Sequence, residues 1–128
     1  MNDLIGKPFQ WQGRGPNAYD CWGLTLEVMS RLGINCDYVL SFGKMDFEVI
    51  NEYIENSRAS PKWQEVSHPK KGDVLICGTS RQWAHVCPFV DESSVLHITK
   101  GQAGVIRIDP RVLYRLGYKK QKVLRWLG

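Results

Sequence analysis

Leu24, Val28 and Leu32 recur at every fourth position and set one apolar stripe along a predicted helix over residues 21–32. Asp20 stands at its N-cap position, Arg31 falls in its last turn, and Gly33 follows as a stop. Ahead of it, residues 1–7 predict a short helix ended by Pro8. Residues 8–19 read as a loop punctuated by Gly13, Gly15, Pro16 and Asn17. A second amphipathic helix is predicted over 46–57, with Phe47, Ile50 and Ile54 on one face and acids on the other. Residues 58–71 are polar, hold two prolines, and read as a connector.

From Gly72 the periodicity changes. Val74–Cys77 is a short continuous apolar run, and Trp83–Val90 and Val95–Thr99 read as further strands. Asp91–Ser94 predicts a hairpin turn between those two. Val105–Ile108 predicts a fourth strand, Pro110–Leu116 one or two helical turns closed by Gly117, and Lys122–Leu127 a last strand. Helices come first and a mainly antiparallel sheet follows, which is an α+β architecture. No repeat, low-complexity tract or linker divides it, so residues 1–128 read as one domain.

Composition changes this picture little. The chain is 43% hydrophobic and 23% charged, ordinary for a globular protein. Its net charge of +4 is mild and reads as a solvated basic surface. No stretch approaches membrane-spanning length, and Met1–Pro8 lacks the basic start and apolar run of a secretory signal. Neither nucleic acid nor a membrane is expected as a partner. Synthesis and folding are expected in a cytoplasm, or exit from it by another route such as within an assembly.

The cysteines are Cys21, Cys36, Cys77 and Cys87. A domain of this size buries enough surface without disulfides, and a cytoplasm keeps thiols reduced. Cys36 and Cys77 read as ordinary small residues. Cys21 differs, because the first turn of a helix offers the positive end of the macrodipole, which favours thiolate over thiol. Thiolate is the nucleophilic form, so Cys21 is the candidate nucleophile.

A nucleophilic thiol needs a base, and the base needs an orienting partner. His68 lies in the polar connector and reads as a surface residue. His85 and His97 fall in consecutive predicted strands and can project from one sheet face, although a one-residue slip of register would separate them. In that arrangement His85 takes the thiol proton and His97 fixes its tautomer and orientation. The competing reading makes both histidines satisfied sheet residues and Cys21 a buried small side chain.

These residues resemble a known family. The segment from Gly6 to Leu24, with Asp20-Cys21-Trp22-Gly23 at its end, is similar to the nucleophile segment of NlpC-type cell-wall cysteine peptidases. Gly72-Asp73-Val74-Leu75, His85-Val86-Cys87-Pro88-Phe89-Val90 and Val95-Leu96-His97 resemble its later motifs, in the family's order. The ending, Val105 through Tyr118, looks most like the branch found in bacteriophage tails and prophages. The resemblance implies a papain-like fold in which a helix presents Cys21 to an antiparallel sheet bearing His85 and His97. It implies hydrolysis of peptide bonds in peptidoglycan stem peptides through an acyl-enzyme, with Cys21, His85 and His97 as the catalytic residues. The Cys21 backbone N–H is a natural oxyanion donor. No metal or organic cofactor is required, and phage tail proteins are the implied partners. Phe9, Trp11, Trp22 and Trp83 are candidate substrate-binding aromatics, each open to a core role. Arg14 and Arg81 are candidates to meet a substrate carboxylate.

The chain departs from the pattern in four places. Phe9 stands where the family has Tyr, Gln12 where it has Gly, Trp22 where it has Ser, and Cys87-Pro88 where it has Gly-Ile. Proline cannot donate to a ladder, so this strand is expected at an edge or bulged. Cys87, two residues from His85, should share its sheet face. Cys21, His85, Cys87 and His97 are also a set that Zn²⁺ would accept on converging, although their spacing is not that of a structural zinc motif. Two further functions fit the same residues: an inactive tail-tip binding protein of this fold, and an amidase acting on another amide bond.

Overall fold

The structure, a computed structural model, describes residues 1–38 and 47–128. Asp46 and the side chains of Phe47 and Ile50, part of the predicted second helix, lie outside what is described. A 3₁₀ turn at Asn2–Leu4 stands for the predicted first helix. Helix α1 spans Cys21–Arg31 and α2 spans Phe47–Ala59. The Asp20 carboxylate starts α1 by accepting the Gly23 N–H at 2.6 Å. Gly33, at φ +77°, turns the chain away after it.

Six strands follow: β1 (Trp63–Val66), β2 (Val74–Gly78), β3 (Trp83–Pro88), β4 (Val95–His97), β5 (Ile106–Ile108) and β6 (Lys120–Trp126). A short helix, α3 (Pro110–Arg115), precedes β6. The main sheet is antiparallel in the order β1-β6-β2-β3, and β4 pairs with β5 in a separate two-stranded ribbon. The α+β architecture with the N-terminal helix packed on antiparallel sheet is therefore as predicted.

Three details differ from the pattern. The connector over 58–71 contains β1, whose only apolar residues are Trp63 and Val66, so no alternation marks it. Trp63 pairs opposite Trp126 and meets it edge-on, ring centroids 4.9 Å apart. The last strand starts at Lys120, two residues before the predicted Lys122, and lies between β1 and β2. The turn at Asp91–Ser94 leads out of the sheet: among the described residues, the backbone pairing that follows β3 is limited to the Phe89–Val95 bridge and the Val90 N–H to Ser94 carbonyl bond at 3.0 Å. Asp91 holds this turn, accepting the Ser93 and Ser94 N–H groups at 2.8 and 2.7 Å and pairing with Arg107 of β5.

The edge position of β3, with Pro88 as its last residue, matches what proline requires. Side chains of β2 alternate between two cores. Val74 and Ile76 pack with Trp22, Met29, Ile54, Trp83 and Val86 on the α1–α2 side. Leu75 and Cys77 pack with Cys87, Phe89, Val95 and Leu113 on the α3 side. A third cluster joins Leu24 and Val28 of α1 to Leu96, Ile98 and Val105, anchoring the ribbon to the helix. Each fully buried Leu or Val side chain here contributes about 1.5–3 kcal/mol. Among the described residues, no helix is long and apolar enough to cross a membrane.

Candidate active site

The loop before α1 is folded back onto the helix start by one carboxylate. Asp20, fully buried, accepts the Gly23 N–H, the Gln12 N–H at 3.1 Å and the Arg14 guanidinium at 2.8 Å. Gly23 is what allows this. A Cβ there would collide with the Gly13 carbonyl oxygen, which itself accepts from the Asp20 N–H and the Arg14 guanidinium. The D-C-W-G motif is thus a helix cap, a thiol and a close backbone approach in consecutive positions.

Cys21, the first residue of α1, is 3% exposed and packs with Ile76, Trp83 and Val86. The backbone N–H groups of Val86 and Trp22 favour the charged form of its sulfur. Burial, then the Asp20 carboxylate, push this thiol up to about 12, against the helix terminus and those two N–H groups. The sulfur rests as a neutral thiol, opposite to the thiolate that the helix dipole alone predicts.

His85 and His97 come together. His85 Nε2 lies 2.8 Å from His97 Nδ1, and both rings are buried. The Phe89–Val95 bridge explains the match: its antiparallel register, continued two residues, sets Cys87 opposite His97 and His85 on the diagonal. Cys87 Sγ accordingly lies 3.9 Å from His97 Nδ1. Cys87 shares the face of His85, because Cys77 pairs with His85 and Leu75 with Cys87. Tyr118 covers both rings at centroid distances of 5.8 and 6.2 Å. A cavity of about 280 Å³, lined by Thr79, Ala84, His85 and Leu116–Tyr118, opens beside His85.

Burial holds His85 well below the usual imidazole range, with His97 adding to the effect, and burial lowers His97 too. Both rings are neutral, so each can accept a proton. Burial, reinforced by a hydrogen bond with the Cys77 thiol, drives the Cys87 thiol well up.

Of the three predicted catalytic side chains, two meet directly. Cys21 reaches β3 at Val86, one residue beyond His85, but among the described residues no hydrogen bond links its sulfur to either ring. His85 and Cys87 alternate away from Val86, and the Cys87 sulfur lies against the imidazole pair, 3.9 Å from His97 Nδ1. Cys87, His85 and His97 have the composition of a Cys-His-His triad, their ligand-type atoms all within 4.8 Å of one another.

Two of the four candidate substrate-binding aromatics are core. Trp22 is 2% and Trp83 1% exposed, and Trp83 is further roofed by Arg58 and Lys120. Phe9 and Trp11 are half-buried and pack edge-to-face at 4.7 Å, with Lys100 over Trp11. Arg14 serves Asp20, and Arg81 is exposed, as is His68. Sequence reasoning missed Tyr118 and Gln102. Gln102 donates to the carbonyls of His97 at 3.0 Å and Gly104 at 2.5 Å, tying the β4–β5 loop. No spacing in the chain signals either residue; Tyr118 reaches the histidines through the α3–β6 turn.

Three comparisons bear on this arrangement. A family model described as the NlpC/P60 family matches residues 6–123. Eight chains of solved structures match. One is the crystal structure of the NlpC/p60 domain of peptidoglycan hydrolase SagA, with 19% identity and a TM-score of 0.56 over 97% of this chain and 91% of that one. No curated protein sequence matches.

Proposed function

The chain belongs to the NlpC/P60 family of cysteine peptidases, and on that footing we propose that it hydrolyses peptide bonds in peptidoglycan stem peptides. The observation that carries the reading is the neutral, buried His85–His97 pair, 2.8 Å apart, with His85 on a strand against which the helix that starts with Cys21 packs. The solved domain of similar fold comes from a protein named as a peptidoglycan hydrolase, which supports the substrate class.

In this reading Cys21 is the nucleophile. With the thiol neutral at rest, the proton passes to His85 as sulfur attacks the scissile carbonyl, rather than beforehand. His85 keeps its orientation through His97, which steadies the imidazolium. The developing oxyanion meets the Cys21 backbone N–H at the helix start. His85 then returns the proton to the leaving amine, and a water that it activates releases the acyl group from sulfur. A second reading makes Cys87 the nucleophile, favoured by its 3.9 Å approach to His97 and its place on the face of His85. The helix N-terminus and the D-C-W-G segment favour Cys21.

Release of stem-peptide fragments from purified peptidoglycan, read by mass spectrometry, tests both. Loss of release in Cys21→Ala with retention in Cys87→Ala supports the first reading, and the reverse supports the second. No release by the wild-type chain would overturn both and leave a binding role for the fold. Cleavage at a muramoyl–alanine bond instead would make it an amidase.

A place in a phage tail extends this reading. Its support is Trp22 in place of Ser and the resemblance of Val105–Tyr118 to the tail branch. Detection of the chain in purified virions tests it, and its absence from them would remove the assignment.

A further inference from the structure

We propose that His85, Cys87 and His97 form a binding site for a thiophilic divalent metal ion, Zn²⁺ foremost, built on the imidazole pair itself.

The donor set is two imidazoles and one thiol, all buried, with their ligand atoms within 4.8 Å of one another. Borderline-soft Zn²⁺ takes this combination readily, and three protein ligands with one open position is a common form of zinc site. The geometry is close. With metal–nitrogen bonds of about 2.05 Å and a metal–sulfur bond of about 2.3 Å, tetrahedral angles put the two nitrogens about 3.3 Å apart and sulfur about 3.6 Å from nitrogen. The observed separations are 2.8 Å for His85 Nε2 to His97 Nδ1 and 3.9 Å for Cys87 Sγ to His97 Nδ1. Opening the ring pair by about half an ångström and drawing the sulfur, within 4.8 Å of both rings, in by up to about an ångström completes three corners.

The protons balance. The hydrogen shared between the rings moves to the outer nitrogen of one ring, leaving both imidazoles neutral and both inner lone pairs free. The Cys87 S–H proton leaves to solvent as the sulfur binds. A cavity lined in part by His85 opens at the edge of the set, a route by which a metal ion and water can reach it. Cys21 is outside the set. Cys77, although hydrogen-bonded to Cys87, is outside it as well.

A metal here occupies the nitrogens through which His85 and His97 cooperate, so a loaded site would be a blocked one. That consequence rests on His85 being the base; the binding itself does not.

The test is titration of the reduced, metal-free full chain with Co²⁺, whose thiolate ligation gives a near-ultraviolet charge-transfer band, followed by displacement with Zn²⁺. One equivalent should produce the band in the wild type and in Cys21→Ser. It should vanish in Cys87→Ser, and His97→Gln should weaken binding about tenfold or more. No band at stoichiometric metal in the wild type, its persistence in Cys87→Ser, or its loss in Cys21→Ser would each overturn the proposal. If a variant does not fold, X-ray absorption on wild-type protein loaded with Zn²⁺ decides: one sulfur and two imidazoles are expected, and two sulfurs or none overturn it. Hydrolysis is measured separately. Full activity with the site loaded would leave the metal site standing and remove His85 as the base.

Discussion

His85 and His97 face each other edge-on, their planes 87° apart, with His85 Nε2 2.8 Å from His97 Nδ1. In the proposed mechanism that geometry gives His97 a positioning role, distinct from transferring the proton itself. His97→Ala should lower kcat about a hundredfold with KM little changed. His97→Asn, which keeps an acceptor, should recover part of the loss. Equal losses in the two variants would leave His97 without a positioning role.

The same burial sets a pH dependence of stability. His85 and His97 are held below their ordinary value of 6.5, so below that pH the unfolded chain binds more protons than the folded one. Stability is complete above pH 6.5 and falls as the solution is acidified through that region. Urea midpoints measured from pH 7.5 to 5 should decline, and a His85→Gln, His97→Gln double variant should flatten the decline.

The resting protonation of Cys21 is open to direct measurement. With its thiol pushed up to about 12, alkylation by iodoacetamide should rise about tenfold per pH unit from pH 7 to 10 without levelling. A plateau near pH 7 would mean that thiolate and imidazolium already exist as a pair in the free enzyme. The same raised value makes stability fall as pH rises above 9, since the unfolded thiol ionises first.

Gly23→Ala tests the close approach of loop and helix. Alanine in an exposed helix would stabilise by about 1 kcal/mol relative to glycine. Here its Cβ meets the Gly13 carbonyl, which two hydrogen bonds already hold in place. The sign should reverse, with about 1–3 kcal/mol lost in urea denaturation. Hydrolysis should fall further than stability accounts for, because the displaced loop carries Asp20 and hence the start of α1.

Much of this was legible in the residues. The four-residue repeat of Leu24 and Val28 gave α1, and the unbroken apolar run Val74–Cys77 gave a strand buried on both faces. Pro88 marked β3 as an edge or bulged strand, and it is the edge; the two-residue spacing put Cys87 on the face of His85. What stayed hidden was decided by partners far along the chain. β1 is a strand because Trp126 lies opposite Trp63. Trp22 and Trp83 are core because α2 and the sheet close over them, which no local pattern encodes. The acidity of Cys21 was misjudged for a related reason: a helix terminus is visible in sequence, whereas desolvation and the proximity of Asp20 are known only after packing.

The Asp20 clamp has one more effect. By fixing the loop and discouraging ionisation of the adjacent sulfur, it favours placement over readiness. Peroxide attacks the anionic form of a thiol. A chain whose sulfur stays protonated until a substrate is engaged should therefore endure aerobic surroundings that would oxidise an exposed, pre-ionised counterpart to sulfenic acid.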